Sequence, residues 1–390
     1  MIVFALHPFI QDMINCETTI QKNEVFNRWN LDECRVFLFD EEKSNFGNLG
    51  KSISYGKFNL IGLGDYQKTW VIDKNTSNKK YNEIPVVRIV NYDLNIFTYK
   101  NDLYRGRNVP YKENLIKFLK EIKHMHMTNN ISTALIERYT TPVNSELLAK
   151  MIESYVYFDS VEFDMFQSDT PQSLEQDKYI WMRKIMDDAD TYLNNDKVIQ
   201  PYEATCCYIL KAFILKNTKT LSTEARITEF KRYCFEELCV FLDLEMTLLI
   251  LFLKNDSSVQ GIFKKLQLGA KNLIDKIHNT AWDIFHIRLL EQSFLSDCMA
   301  NKKAVYLHYF ATADSGLADV LRANPIKMLI YYSGKIIPVR RYSSLDYFTQ
   351  NELDFYNTES NVRLRAEAVK SIDFCFVKKK LIDELRFLLI

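Results

Sequence analysis

In residues 1–83 the apolar positions come in short runs, at 1–6, 35–39, 58–63 and 69–72, separated by polar or glycine-bearing turns. Runs of that length between turn signals predict strands, so this stretch reads as a β-rich module. Residues 84–90 (IPVVRIV) form a near-continuous β-branched run, the pattern of a strand buried on both faces of a parallel sheet. Leu115, Ile116, Phe118, Leu119 and Ile122 then recur at helical spacing and predict a helix over 113–125. Further helices are expected over 132–139 and 144–154, with a strand at 155–158. Strands alternating with helices predict an α/β unit with a parallel sheet.

From 170 to 300 the pattern becomes almost wholly helical, with apolar faces along 202–215, 223–253 and 259–295 and few breakers. A helical insertion over about 165–275 is the simplest account. Residues 304–310 return to a strand and 315–322 to a helix. Residues 327–332 and 335–339 form a hairpin around Ser333-Gly334, and the tail from 362 is helical. The expected organisation is an N-terminal module over 1–83, an α/β domain over 84–325 and a C-terminal hairpin-and-helix extension over 326–390.

Composition adds exclusions. The chain has 390 residues, 47% hydrophobic and 26% charged, ordinary values for a folded protein. Lys plus Arg and Asp plus Glu are 50 each, so there is no bulk attraction to nucleic acid or anionic membrane, and any polyanion site must be local. The balance shifts along the chain: 151–200 holds 11 acidic against 4 basic residues, and 326–390 holds 11 basic against 8 acidic. Ten Gly and eight Pro argue against glycine-rich repeats and Pro-rich linkers. The eight cysteines include no C-x-x-C pair and sit mostly among apolar neighbours, as buried thiols in a reducing compartment do. No secretory signal pattern opens the chain, and the strongest apolar run, 246–253, is far shorter than the ~20 residues a membrane span needs. The expectation is a cytoplasmic protein with no membrane partner.

Four acids stand out by position. Asp93 ends the 84–90 run in Tyr92-Asp93-Leu94-Asn95, where open α/β sheets place ligands, although a strand-end Asp also serves as a helix cap. Glu137 sits among apolar neighbours in Ser132-Thr133-Ala134-Leu135-Ile136-Glu137, with a solvated helix face as the bland alternative. Asp283, in Trp282-Asp283-Ile284-Phe285-His286, is wedged between apolar residues. It either faces a polar cleft or meets Arg288 or His286, because acids are rarely buried unpaired. Asp314, in Thr312-Ala313-Asp314-Ser315-Gly316, follows a strand and also fits an N-cap. Carboxylates converging from separate elements are what a Mg²⁺ or Mn²⁺ site needs.

In order and context these four strings resemble the acidic motifs of the PIN-domain nucleases: Asp-x-Asn after the first strand, an acid on an early helix, Asp-x-x-His on a later helix, and Thr-x-Asp after a strand. The resemblance implies a PIN-like parallel-sheet core over perhaps 140 residues. It makes Asp93, Glu137, Asp283 and Asp314 the catalytic metal ligands, supported by Asn95, Thr312 and His286. It departs from compact members in the 146-residue gap between Glu137 and Asp283 and in the flanks at 1–83 and 326–390. The implied activity is Mg²⁺- or Mn²⁺-dependent endonuclease action, on RNA more than DNA. The family's frequent use as toxins implies a bacterial toxin or phage-defence effector with an inhibitory or defence-system partner protein, and a homodimer stays open. The Lys-, Asn-, Tyr- and Ile-rich composition suits an AT-rich mobile gene. The rival expectation is a catalytically silent PIN-like scaffold that binds a protein or nucleic acid.

A nucleic-acid path needs positive charge interleaved with stacking surfaces. Lys100, Arg105, Arg107 and Lys112, set among Tyr99, Tyr104 and Tyr111, are the leading candidates, with Arg340 and Arg341 a weaker set. Residues 47–52 end like a phosphate loop but lack its first glycine, with Asn45 in that place. His124 and His126 would point apart on a helix end, which argues against zinc.

Overall fold

The computed structural model describes residues 7–40, 52–74, 85–139, 145–161, 163, 166, 170–193, 196–300 and 303–388. The strand expected at 1–6 and the loop at 45–51 lie outside them.

Among the described residues the N-terminal stretch opens with two helices, α1 (Pro8–Asn15) and α2 (Thr19–Trp29), which the β-rich reading of this region does not include. Pro8 at the first turn and the His7 side chain, which accepts the Phe9 N–H, start α1. A Thr18/Gln21 capping box starts α2. Both are short, and they gain stability by packing Phe9, Ile10, Met13, Val25 and Phe26 on a sheet.

That sheet has four strands in the order β4-β1-β8-β9, all antiparallel: β1 (Cys34–Leu38), β4 (Trp70–Ile72), β8 (Ile326–Tyr332) and β9 (Lys335–Arg340). The predicted hairpin at 327–339 is therefore present, and it pairs with a strand from the far end of the chain. Val36 and Leu38 face α1 and α2. Phe37 faces the opposite way, meeting Phe294 edge-on at 4.8 Å.

A five-stranded sheet, order β2-β3-β7-β5-β6, carries the site. Its strands are β2 (Ile53–Tyr55), β3 (Phe58–Gly62), β5 (Val86–Tyr92), β6 (Thr128–Asn130) and β7 (Val305–Thr312). β5 runs parallel to both β6 and β7, while β3 joins β7 and β2 joins β3 antiparallel. The fold is thus α/β, with a mixed sheet whose parallel part is three strands wide. Strands from residues 1–83 are shared between the two sheets.

Inside the parallel strands a polar ladder replaces apolar packing. Asp297 accepts from His308 Nε2 at 2.8 Å, which leaves Nδ1 as acceptor for Asn91 Nδ2 at 3.2 Å, and Asn130 Nδ2 donates to Asn91 Oδ1 at 2.8 Å. Each buried polar atom of the ladder has a partner, as burial requires.

Helices α3 (Leu94–Tyr104) and α4 (Lys112–His124) connect β5 to β6. After β6 come α5 (Ser132–Tyr139) and α6 (Ser145–Ser160). The strand expected at 155–158 is instead the last part of α6. Leu148, Met151, Ile152, Tyr155 and Val156 continue one helical face into the core, and that periodicity overrides the local β preference of Tyr-Val-Tyr-Phe. The helical layer is α7 (Tyr179–Leu193), α8 (Asp196–Asn217), α9 (Thr223–Arg232), α10 (Asp243–Leu253), α11 (Gln260–Phe263) and the long α12 (Leu273–Ala300). A π-helical turn at Tyr233–Glu237 breaks the expected 223–253 run. α13 (Ser315–Ala323) follows β7, and α14 (Gln350–Asn357), α15 (Glu359–Ala368) and α16 (Phe374–Leu388) form the tail. No helix among the described residues is long and apolar enough to cross a membrane.

Candidate metal centre

The carboxyl ends of β5 and β7 lie side by side and each delivers an acid. Asp93, 2% exposed, caps α3, its Oδ1 accepting the Asn95 N–H at 3.4 Å. Its backbone N–H bonds the Ala311 carbonyl at 2.9 Å, extending the β5–β7 ladder by one residue. Asp314 caps α13 by accepting the Leu317 N–H at 3.0 Å. Thr312 joins the two: its hydroxyl donates to Asp93 Oδ2 at 2.7 Å and accepts the Asp314 N–H at 2.9 Å. Asn95 Nδ2 also reaches Asp93 Oδ2, at 3.3 Å. Capping and convergence are compatible, because a cap uses one carboxylate edge and leaves the other to the site.

Two helices supply the remaining groups. Glu137 projects from α5, and His286 Nε2 on α12 lies 3.3 Å from Glu137 Oε2. That geometry suits an ion pair or a shared ligand, since neither ring nitrogen of His286 meets hydrogen-bond angles with a described residue. The ring is 1% exposed, between Trp282 and Phe310 with centroids 5.9 and 5.6 Å away. One ligand atom each from Asp93, Glu137 and His286 lies within 4.8 Å of the others, so this buried triad could hold a metal ion.

Asp283, one α-helical turn before His286, is paired with Lys265 Nζ at 2.5 Å. Neither partner expected for it is its counterion, because Arg288 turns away to Glu245 and His286 turns to Glu137. Lys265 was not singled out in the sequence. It lies in the turn after α11, where no spacing ties it to any acid.

The acids feel one another. Burial foremost, then the Asp93 and Asp283 charges, pushes the Glu137 carboxyl well above the usual range, against the pull of Lys265 and Arg138. Burial pushes Asp283 up to about 7, with Lys265 opposing and Asp314 and Asp93 reinforcing. Burial lowers the His286 pKa, opposed by Asp93 and the Thr133 backbone, which favours the neutral ring that a metal requires. A divalent cation would offset both raised carboxyls and suit the neutral imidazole.

The expected nucleic-acid residues are not all available. Lys100 is 1% exposed on the inner face of α3, its ammonium 4.2 Å from the Tyr92 ring centroid and 5.1 Å from that of Tyr155. It lies on the same helical face as Ile96, Phe97 and Tyr104, and that face is buried. Arg340, 6% exposed, is consumed by a buried pair with Glu291 and a 3.1 Å bond to the Asn324 carbonyl. Arg105 and Lys112 are half-buried. Arg107, paired with Asp102 at 3.0 Å, and Arg341 have access to solvent. Comparison of the chain with protein-family models, with curated proteins and with solved structures finds no match.

Proposed function

We propose that this chain is a divalent-metal-dependent endonuclease of PIN-like type, acting on RNA in preference to DNA, with Asp93, Glu137, Asp283 and Asp314 as its acidic centre. The observation that carries the reading is the buried grouping of Asp93, Glu137 and His286, with ligand atoms within 4.8 Å of one another, beside Asp283, whose carboxyl feels the charges of Asp93 and Asp314.

Asp93, Glu137 and His286 would hold the ion, and Asp283 and Asp314 would border it. A bound Mg²⁺ or Mn²⁺ supplies phosphate polarisation and a water of lowered pKa, the chemistry of phosphodiester hydrolysis without a side-chain nucleophile. Thr312 fixes the angle of Asp93 relative to Asp314, so the carboxylates are preset before substrate arrives. Trp282, stacked on Tyr202 at 4.2 Å, walls His286 with apolar surface and keeps water from its ring. The preference for RNA and a role as toxin or defence effector, restrained by a partner protein, rest on the motif resemblance.

The test is cleavage of end-labelled single-stranded RNA and DNA by the purified chain with Mn²⁺, Mg²⁺ or EDTA, beside Asp93→Asn and Asp314→Asn. The expected result is metal-dependent cleavage of RNA, reduced by roughly 10²–10³-fold or more in either variant, the scale seen when one electrostatic group is removed from a catalytic site. Cleavage that survives EDTA, or that both variants retain, overturns the proposal. A chain that cuts neither polymer and binds no Mn²⁺ is the scaffold.

A further inference from the structure

The two ends of the acidic centre are built differently. At one end Asp93, Glu137 and His286 bring two carboxylates and an imidazole together with their ligand atoms within 4.8 Å. At the other end the Asp283 carboxylate already holds a cation of the protein's own, Lys265 Nζ at 2.5 Å.

The lysine is placed there by backbone packing. Gly261 in α11 lies against Gly316 in the first turn of α13, so close that a Cβ on Gly316 would sit 2.5 Å from the Gly261 carbonyl carbon. Only glycine permits that approach. It docks the turn after α11 against the helix that Asp314 caps. Phe263 and Leu266, both buried, and a 2.9 Å Leu266 N–H to Phe263 carbonyl bond then hold the turn around Lys265. The lysine side chain stays partly exposed at 28%.

We infer that Lys265 is a built-in second cation: the centre takes one divalent ion, at the Asp93–Glu137–His286 end, and the Lys265 ammonium, paired with Asp283, stands in the place of another. This rests on the metal-centre reading above. Paired-ion sites hold their cations ~3.5–4 Å apart so as to clamp both the attacking and the leaving oxygen. An ammonium in one of those positions supplies a charge and, beyond its bond to Asp283, further donors for a phosphate oxygen without requiring a second set of ligands. The imidazole in the occupied set also favours Mn²⁺ over Mg²⁺, since ions bound by oxygen alone gain little from nitrogen.

The experiment counts Mn²⁺ bound per chain, by equilibrium dialysis and by loss of the free-ion electron paramagnetic resonance signal, on the full chain and on Lys265→Met, Lys265→Gln and Lys265→Arg. One ion is expected for the wild type and Lys265→Arg, and two for Lys265→Met and Lys265→Gln. Adding Asp314→Asn to Lys265→Met should return the count to one, which a merely structural lysine would not produce. Thermal unfolding confirms that each variant is folded, and using two neutral replacements keeps the count measurable if one of them is not. Two ions on the wild type, or one on both neutral variants, overturns the inference while leaving the metal centre standing. No Mn²⁺ on the wild type overturns the centre itself.

Discussion

One helix, α12, carries two kinds of buried charge a turn or two apart. Arg288 is paired through two donors with Glu245, at 3.0 Å from Nε and 2.5 Å from Nη2, and Glu245 is fully buried. Glu291 pairs with the buried Arg340. There each charge has its opposite, and Thr205 adds a 3.3 Å hydrogen bond to Glu245. Asp283 and His286, on the preceding turns, enter instead a neighbourhood of four acids against Lys265 and Arg138, where ionisation of Glu137 and Asp283 is opposed. Charge buried for structure is closed in pairs, whereas the acids at the strand ends outnumber the cations facing them, an arrangement that protonation or a bound cation can relieve.

The sharpest way to break this comparison is to remove one charge from each group. Arg288→Met strands the Glu245 carboxylate in the core and should cost about 3–5 kcal/mol of stability. Asp283→Asn keeps the shape and removes a charge the fold resists, so it should change stability by less than about 1 kcal/mol or raise it. Urea denaturation in EDTA measures both. Equal losses would mean that the acidic centre is as much a structural pair as Glu245–Arg288.

A pH series sharpens the same contrast. The Asp283 carboxyl holds its proton up to about 7 in the folded chain, against an ordinary value of 3.8. Between those values the folded state binds more protons than the unfolded one, so this group's contribution is fully present below the ordinary value and is lost as pH rises through about 7. Glu137 shifts in the same direction. In EDTA, the melting temperature of Asp283→Asn relative to wild type should therefore climb from pH 5 to pH 8, and Mn²⁺ should lift the wild type most at the upper end. A difference that stays flat with pH would remove the surplus-charge argument.

Much of this centre is legible in the sequence because each acid breaks a local rule. Asp93 and Asp314 end apolar strands, and Glu137 and Asp283 interrupt apolar helix faces. Asn95 sits two residues from Asp93 and Thr312 two residues from Asp314, although the Asp93 carboxylate that the Thr312 hydroxyl meets is distant in sequence. Lys265 is not legible: its partner is 18 residues away across a turn, and what places it is the Gly261–Gly316 contact between elements distant in sequence. Lys100 is misread when taken as part of a basic, tyrosine-rich string. At helical spacing it falls with Ile96, Phe97 and Tyr104, and that face is buried. The α1–α2 pair and the end of α6 fail for a related reason, because partners in the tertiary fold override their short local patterns.

A smaller effect is expected from the Thr312 hydroxyl. Thr312→Val preserves shape and removes both the donor to Asp93 and the acceptor for the Asp314 N–H. Loss of an orienting partner typically weakens metal binding by about 10–100-fold, and Mn²⁺ titration of the variant should show a loss on that scale with one ion still bound. Unchanged affinity would show that Asp93 is held by its cap alone.

The smallest expected effect on the fold concerns the exposed arginines. Arg107 pairs with Asp102 at the surface, with 55% of its side chain accessible, so Arg107→Ala should move stability by no more than about 0.5 kcal/mol. Its weight lies in binding. If Arg107 and Arg341 each neutralise one RNA phosphate, removing either should lower the slope of log affinity against log salt by about 0.7, the value per contact for single strands, and should do so for any sequence. Lys100→Met should leave that slope unchanged, because its ammonium is enclosed by Tyr92, Tyr155 and Phe158. Nitrocellulose filter binding across a salt series on a cleavage-deficient Asp314→Asn background separates the two. Equal slopes for Arg107→Ala, Arg341→Ala and the parent would place the RNA path elsewhere on the surface, whereas a drop in the arginine variants alone would define the approach to the acidic centre.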